Sequence, residues 1–277
     1  MNHPNPTRWL KSLLPTLLLP LALAQPSQAL LFDHSIYDAV LRHYVNDDGW
    51  VDYDSIRENS QSALESYFER LADADLGGWT REERLAFWIN AYNAHVLQLV
   101  VSHPGMKKIS ENFDLFNVPF KIAGVRLTLN DIEYRILRNR VNPDNQRGPV
   151  AQMSFDRPDP RVCVALARGT VNGPKLQNFA YTAENVDDIL QVNTVAFANS
   201  EKEIDVLNGQ LRATALMRWY SKDFLPLGGW RKYMSDLIDP DKRGDADQVK
   251  TFLADETKKP LYQYDWTVND VKNSYVP

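Results

Sequence analysis

The sequence predicts an α+β fold, in which a helix-rich single domain has a small antiparallel sheet around a buried central helix. Helical periodicity recurs along most of the chain, whereas the segments typical of strands are short. Two such segments flank Asn208-Gly209, a dipeptide that favours a type I′ turn between antiparallel strands. The run from Phe87 to Val101 is apolar nearly all round. A helix with no polar face is typical of a protein interior, so this run predicts the central helix.

Apolar residues at helical spacing predict the remaining helices, as Ile36, Val40 and Tyr44 do for the first. The central helix is expected to begin at the N-cap Thr80 and to end before Pro104-Gly105. In chain order, helices are predicted over 33–45, 60–72, 80–102, 131–140, 182–197, 230–237 and 246–254.

Extended segments are fewer, and two of them form hairpins. Val162 to Leu166 is apolar or small on both faces and is predicted to be an interior strand. Residues 142–160 contain several prolines and are predicted to be a loop, and residues 219–224 a short aromatic turn or helix. The other extended segments are predicted at 50–53, 121–127, 203–216 and 261–266.

The N-terminal residues resemble an export signal. Two basic residues, Arg8 and Lys11, precede a proline-interrupted apolar run over 13–24 and the small-residue pattern Ser27-Gln28-Ala29. Residues 1–29 are therefore predicted to be a signal peptide, and residues 30–277 a single domain. The alternative that the N-terminal segment is not cleaved and serves as a membrane anchor stays open. The mature protein is expected to have no stable membrane span. It is expected to be periplasmic or secreted, or in a thylakoid lumen if the source is cyanobacterial.

Composition argues against several classes of function. Removal of the first 29 residues leaves 29 basic and 36 acidic residues, a net charge of −7 with no basic run that could follow phosphates. Nucleic-acid binding is therefore not expected. Cys163 is the only cysteine, so no intrachain disulfide can form. The histidines after residue 30 form no metal-binding motif, and neither a metal nor a cofactor is predicted.

Polar residues in the apolar segments are the first candidates for a site. Asn90 and Asn93 lie inside the central helix, and buried amides cost stability unless they find partners. They are predicted to belong to a site or to hold buried loops in place. His95 shares a face with Trp88, which favours a core histidine over a catalytic base. Cys163 is predicted to be a small buried hydrophobe, and Arg161 nearby keeps a catalytic thiol open as the alternative.

The C-terminal half adds aromatic residues close to polar ones. Trp219 and Tyr220 precede Asp223, and Tyr264 and Trp266 follow near the end of the chain. Aromatic side chains of this kind line a pocket or belong to the core, and both readings stay open.

Six separated motifs together resemble the domain of unknown function 547 family. They follow the order expected of that family and span roughly residues 50 to 267. The matching segments are Val51-Asp52-Tyr53, Ala86 to Asn93, Ile122-Ala123-Gly124 with Leu127 to Glu133, Asp159-Pro160-Arg161, Trp219 to Phe224, and Tyr264-Asp265-Trp266.

The resemblance also implies which chemistry is missing. After Asp-Pro-Arg the family pattern is expected to supply a histidine, then a cysteine before glycine, then a cysteine before proline. Here Cys163 stands at the histidine position, and Arg168 and Gly173 stand at the two cysteine positions. If family members use a thiol nucleophile with an imidazole base, this chain lacks both.

The sequence thus favours an exported, non-catalytic binding or interaction protein on a family-like scaffold, with an unknown protein or small molecule as its partner. The alternatives are a thiol-dependent hydrolase or acyl-transferase rebuilt around Cys163, His95 and Asn90, and a purely structural envelope protein. No catalytic residue is assigned. The predicted pocket comprises Trp88, Asn90, Tyr92, Asn93, Arg161, Cys163, Arg168, Tyr220 and Asp223.

Overall fold

This computed structural model describes Met1, residues 31–140 and residues 148–274. Apart from Met1, the predicted signal peptide lies outside the described residues. The α-helices are α1 (Ser35–Tyr44), α2 (Tyr53–Asn59), α3 (Gln61–Ala72), α4 (Arg81–Val101), α5 (Pro149–Met153), α6 (Val186–Ala198), α7 (Ala215–Trp219), α8 (Trp230–Leu237) and α9 (Ala246–Ala254). The strands are β1 (Phe120–Ile122), β2 (Val125–Leu127), β3 (Ile204–Leu207), β4 (Gln210–Thr214) and β5 (Leu261–Gln263). A π-helix covers Asp131–Leu137, and 3₁₀ helices cover Ile109–Asn117, Pro160–Val164, Leu225–Leu227 and Val271–Asn273.

The predicted central helix is α4. Thr80 caps its N-terminus: its hydroxyl accepts from the Glu83 amide, while the Glu83 carboxylate accepts from the Thr80 amide. Every residue from 85 to 94 is buried, because α2, α3, α6 and the π-helix all pack around this helix. None of the described helices has the length and apolarity needed to cross a bilayer.

The predicted α+β class is confirmed, but the strands are divided between two small sheets. β1 and β2 form an antiparallel hairpin, while β3, β4 and β5 form a second sheet. Asn208 and Gly209 have φ of 52° and 74°, which fits the predicted type I′ turn between β3 and β4. The second sheet is mixed, because β5 arrives after α8 and α9 and pairs in parallel with β4.

The predicted strand over 162–166 is wrong, because Pro160–Val164 is a 3₁₀ helix. The Asp159 side chain accepts a hydrogen bond from the Arg161 amide, and Pro160 occupies the first helical turn. Both features favour the start of a helix. The burial expected of this segment is nevertheless present, since residues 162–167 are all buried. A short apolar run does not by itself distinguish a strand from a buried helical turn.

Other boundaries also differ from the prediction. The first turn of α2 begins at Tyr53, at the end of the predicted extended segment, because Asp52 caps it through the Ser55 amide. Helix α5 lies in the predicted loop. The helix expected over 131–140 is a π-helix that ends at Leu137, and the last strand ends at Gln263 rather than at Trp266.

Candidate functional site

The two buried asparagines of α4 hold neighbouring loops by paired hydrogen bonds. The Asn90 amide nitrogen donates to the Tyr181 carbonyl at 2.7 Å, and the Tyr181 amide donates back to Asn90 Oδ1 at 3.0 Å. Asn93 donates to the Ala165 carbonyl at 3.0 Å and accepts from the Ala167 amide at 2.9 Å. The two side-chain amides therefore hold the backbone of buried loops in place, which is one of the two roles that the sequence predicted. Asn93 also fixes the segment that leads directly into Arg168.

Glu133 is the centre of a buried ionic network. The π-helix directs this side chain inward, where it is completely buried. Arg168 Nη2 lies 2.6 Å from each carboxylate oxygen, and Arg138 Nη1 lies 3.2 Å from Oε1. The Tyr220 hydroxyl donates to Oε1 at 2.8 Å, and the Tyr92 hydroxyl donates to Oε2 at 3.3 Å. The carboxylate is thus held by two guanidinium groups and two phenols.

A second carboxylate, Asp223, extends this network. Arg138 Nε and Arg140 Nε each donate to Asp223 at 2.6 Å. The Arg138 guanidinium carbon also lies 3.9 Å from the centre of the Tyr220 ring, a cation–π contact. We call Glu133, Asp223, Arg138, Arg140 and Arg168, with Tyr92 and Tyr220, the Glu133 network. Its three guanidinium groups exceed its two carboxylates by one positive charge.

The charges of the network are set by competition between burial and ion pairing. Burial alone would raise the pKa of Glu133, but Arg168 and Arg138 outweigh it and hold that pKa below its ordinary value. Burial would lower the pKa of Arg168, whereas Glu133 raises it well above the ordinary value. Both groups are therefore charged at neutral pH.

A cavity of about 260 Å³ lies against Arg168, and we call it the Arg168 pocket. Trp219 and Trp266 line it with their ring centres 5.5 Å apart, and Phe113 meets Trp266 edge-on at 4.7 Å. The Arg168 guanidinium carbon is 5.5 Å from the centre of the Trp219 ring. The other lining residues are Asp114, Phe116, Asn117, Asn130 and Tyr134.

The hypothetical thiol site built from Cys163, His95 and Asn90 is not assembled. Burial raises the pKa of the Cys163 thiol far above its ordinary value, and within the described chain no imidazole forms a hydrogen bond with it. His95 stacks between Phe68 and Phe120, at ring-centre distances of 4.4 and 3.6 Å. Burial lowers its pKa to about 3, as expected of a core histidine.

Gly173, the other position where the resemblance expects a thiol, is closely packed. A Cβ atom placed there would lie 2.6 Å from Thr170 Oγ1 and 2.9 Å from the Tyr264 hydroxyl. These two hydroxyls are themselves hydrogen-bonded at 2.8 Å. The space for a side chain at this position is therefore occupied by Thr170 and Tyr264.

The structure brings together about half of the residues of the predicted pocket. Arg168, Tyr92, Tyr220 and Asp223 belong to the Glu133 network, and Asn93 supports it through the preceding loop. Trp88, Asn90 and Arg161 lie elsewhere, whereas buried Cys163 is close enough to Asp223 and Arg138 for their charges to act on its pKa. Of these, Trp88 is a core residue, and Arg161 pairs with Asp159 and Asp187.

Sequence reasoning missed Glu133, Arg138 and Arg140. The available signal was Glu133 itself, an acidic residue between Ile132 and Ile136 on a segment predicted to be helical. A carboxylate in such a position is typical of a buried ion pair. Its partner Arg168 is far away in sequence. Nowhere in the described part of the chain do three or more His, Cys, Asp or Glu side chains gather as metal ligands would.

The comparison with protein families agrees with the resemblance read from the motifs. Residues 76–198 match the family model described as "Protein of unknown function, DUF547". This segment covers α4, the π-helix, Arg168 and Gly173, whereas Trp219, Asp223 and Trp266 follow it. No curated protein and no solved structure matches the chain.

Proposed function

We propose that this chain, a member of the DUF547 family, is an exported, non-catalytic binding protein. Its Arg168 pocket takes a small ligand that carries a carboxylate, or a similar acceptor group, on a flat apolar body. The observation that carries the proposal is Arg168 itself. Arg168 stands where the resemblance leads us to expect a cysteine. Its guanidinium group is held by Glu133 and lines an aromatic pocket.

The side chains at the three positions relevant to thiol chemistry favour binding over catalysis. A guanidinium stays protonated and can neither attack a substrate nor exchange protons near neutral pH. Gly173 has no reactive group. Cys163 is buried with a raised pKa, so little of it is thiolate, which is the reactive form.

The lining of the pocket indicates the ligand chemistry. Arg168 supplies charge and hydrogen-bond donors, which suit a carboxylate. Trp219 and Trp266 supply flat apolar surface, which suits a planar body. Among the lining residues Asp114 opposes the charge of Arg168, whereas the net positive charge of the adjoining Glu133 network adds to the attraction for an anion. The volume of about 260 Å³ is below that of ordinary drug-sized pockets, so a small ligand is expected.

The network also keeps Arg168 in place before a ligand arrives. Glu133 accepts a hydrogen bond from Arg168 Nη2. Asn93 holds the backbone of Ala165 and Ala167, which directly precede Arg168. An arginine that is already ordered loses less side-chain entropy when it binds. The ion pair with Glu133 therefore serves the pocket as well as the fold.

A matched pair of probes tests the proposal. We would titrate the protein with 2-naphthoate and with 2-naphthamide, its uncharged counterpart, by calorimetry and tryptophan fluorescence. Naphthoate is expected to bind at least about tenfold more tightly, since a charge-assisted hydrogen bond to Arg168 contributes about 1.5–3 kcal/mol. Equal affinities, or no binding of naphthoate, would contradict the proposal.

Two tryptophan variants locate the binding. Trp266→Ala removes one wall of the pocket and is expected to weaken naphthoate binding by about tenfold or more. Trp79→Ala is the matched control, since Trp79 is also a half-buried tryptophan but lines a different cavity. If the control lost affinity as much as the Trp266 variant, the ligand would not lie in the Arg168 pocket.

Export is tested separately from binding. The pattern at Ser27-Gln28-Ala29 supports cleavage that leaves Leu30 as the first residue. N-terminal sequencing of the protein from a fractionated source is expected to show that residue. Retention of residues 1–29 in a membrane fraction would contradict a cleaved signal peptide.

A further inference from the structure

Glu203 is a buried carboxyl group that forms no ion pair with any of the described residues. It immediately precedes β3 and is only 9% exposed. Its Oε2 atom is buried and has no hydrogen-bond partner in the part of the chain that is described. Buried carboxyl groups are ordinarily paired with a cation or saturated by donors, so Glu203 is an exception that needs an explanation.

The cation that adjoins Glu203 in the sequence is directed elsewhere. Lys202, the adjacent residue, donates its Nζ to the Val171 carbonyl at 2.5 Å. Glu203 forms no salt bridge with any residue in the described ranges. The missing donor is therefore not supplied by the neighbouring lysine.

Glu203 lines a cavity of about 380 Å³ that is separate from the Arg168 pocket. Apolar surface comes from Trp50, Val164 and Phe197, and Gly173 contributes a wall without a side chain. The charged groups in the lining besides Glu203 are Asp48, Lys175 and Lys202, and their charges together add only one positive unit. An unpaired acid thus faces a mainly apolar cavity.

We propose that this cavity binds a small organic cation, an amine with a short apolar body. The ammonium group would donate to the Glu203 carboxylate, and the body would pack against Trp50 and Phe197. An ammonium supplies both charge and donors, which is what a buried, unpaired carboxylate lacks. A neutral ligand would supply the donors alone and would leave the charge uncompensated.

The protonation state of Glu203 gives the site a pH dependence. Burial raises its pKa to about 7, while the positive charge of Lys202 acts in the opposite direction. The other groups that face this part of the cavity are Asp48, Lys175 and the Tyr264 hydroxyl. At neutral pH an incoming ammonium would therefore displace a proton from a fraction of the molecules.

The experiment compares phenethylamine with 2-phenylethanol, its uncharged analogue of similar shape, by calorimetry. The amine is expected to bind more tightly by about tenfold or more, and its affinity is expected to rise between about pH 5.5 and about pH 8.5 as Glu203 ionises. Equal affinity for amine and alcohol, no binding of the amine, or affinity independent of pH would overturn the proposal.

Variants assign the effect to Glu203. Glu203→Gln keeps the shape and removes the charge, and is expected to weaken amine binding by about tenfold or more. Glu201→Gln is the control, because Glu201 is exposed and two residues away.

Trp50→Ala provides a second variant that leaves the carboxyl group intact, and it is expected to weaken the binding of both probes. Unchanged amine affinity in Glu203→Gln would overturn the proposal. Because these residues do not line the Arg168 pocket, failure here leaves the naphthoate experiment unaffected.

Discussion

Glu133→Gln is the sharpest test of the ionic network, because it changes one charge and almost no volume. The wild-type carboxylate is completely buried and accepts hydrogen bonds from Arg168, Arg138, Tyr220 and Tyr92. Removing one partner of a buried ion pair leaves an uncompensated charge and typically costs about 3–5 kcal/mol. A glutamine also presents an NH₂ group to guanidinium donors, which cannot accept its hydrogens. We therefore expect a loss of about 3–5 kcal/mol in the free energy of unfolding.

Urea unfolding near neutral pH, followed by circular dichroism and tryptophan fluorescence, measures this loss. Asp236→Asn is the control, since Asp236 pairs with Lys232 on the surface, where both side chains are more than 60% exposed. Such a pair contributes about 0–1 kcal/mol. A loss of less than about 1 kcal/mol for Glu133→Gln would refute the assignment of Glu133 as the centre of the network.

The same variant predicts a pH dependence with a definite sign. The folded-state pKa of Glu133 is depressed, because Arg168 and Arg138 outweigh the effect of burial. The stabilisation is therefore complete above the ordinary glutamate pKa of about 4.3 and is lost as pH falls through the lower, folded-state value. The difference in stability between wild type and Glu133→Gln is expected to shrink across this acidic range. A difference that stayed constant down to the acid transition would contradict the ionic explanation.

Three further predictions concern the residues around this site. Asn93→Leu is expected to lower the free energy of unfolding by about 1–3 kcal/mol, because it leaves the loop that precedes Arg168 without its donor and acceptor; an unchanged melting temperature would exclude that role. Gly173→Ala is expected to cost about 1–3 kcal/mol through its contacts with Thr170 and Tyr264. Thr170→Ala in the same chain should recover part of the loss, which urea unfolding of the single and double variants would show. Iodoacetamide, followed by mass spectrometry, is expected to label Cys163 slowly in the folded protein and rapidly after unfolding, whereas fast labelling of the folded protein would favour a thiol enzyme.

Gly244→Ala is the control for the glycine variant. A Cβ atom at Gly244 would meet nothing within 4 Å, and the substitution is expected to leave stability unchanged or slightly increased. The comparison separates crowding at Gly173 from the general effect of replacing a glycine. If both variants lost the same free energy of unfolding, close packing would not explain the loss in Gly173→Ala.

The parts of the fold that were predictable are those set by local sequence. Thr80 and Glu83 determine the start of α4, and the absence of a polar face determines its burial. Asn208-Gly209 determines the turn between β3 and β4. In each case the residues that specify the structure lie within a few positions of one another, so the pattern is visible in the chain.

The segment around Cys163 shows where local sequence is insufficient. Its apolar residues predict burial, which is observed, but they do not distinguish an interior strand from a 3₁₀ turn. The conformation is fixed by Asp159 and Pro160 at its start and by Asn93 on α4, which binds the backbone after it. Asn93 is distant in sequence, so that contribution appears only once the chain is folded.

The same reasoning explains why only part of the site was predictable. Arg168 was identifiable from its place in a motif where the resemblance leads us to expect a cysteine, and Tyr220 and Asp223 were identifiable from their aromatic surroundings. The network that joins them depends on Glu133, which is 35 residues from Arg168 and 87 from Tyr220. No local sequence pattern indicates that these segments come into contact in the fold.

Arg168 and Gly173, which stand where the resemblance leads us to expect cysteines, are both accommodated by specific contacts. Arg168 is compensated by a fully buried glutamate and closes one wall of an aromatic pocket. Gly173 leaves just enough room for the hydrogen bond between Thr170 and Tyr264. The charge of Arg168 is paired with Glu133, and the hydroxyls of Thr170 and Tyr264 lie against Gly173. Tyr264 also packs against Trp219 and Trp266. Gly173 itself lines the Glu203 cavity, and it is linked to the aromatic wall of the Arg168 pocket through Tyr264. This link between the two positions is one reason for the binding function that we propose.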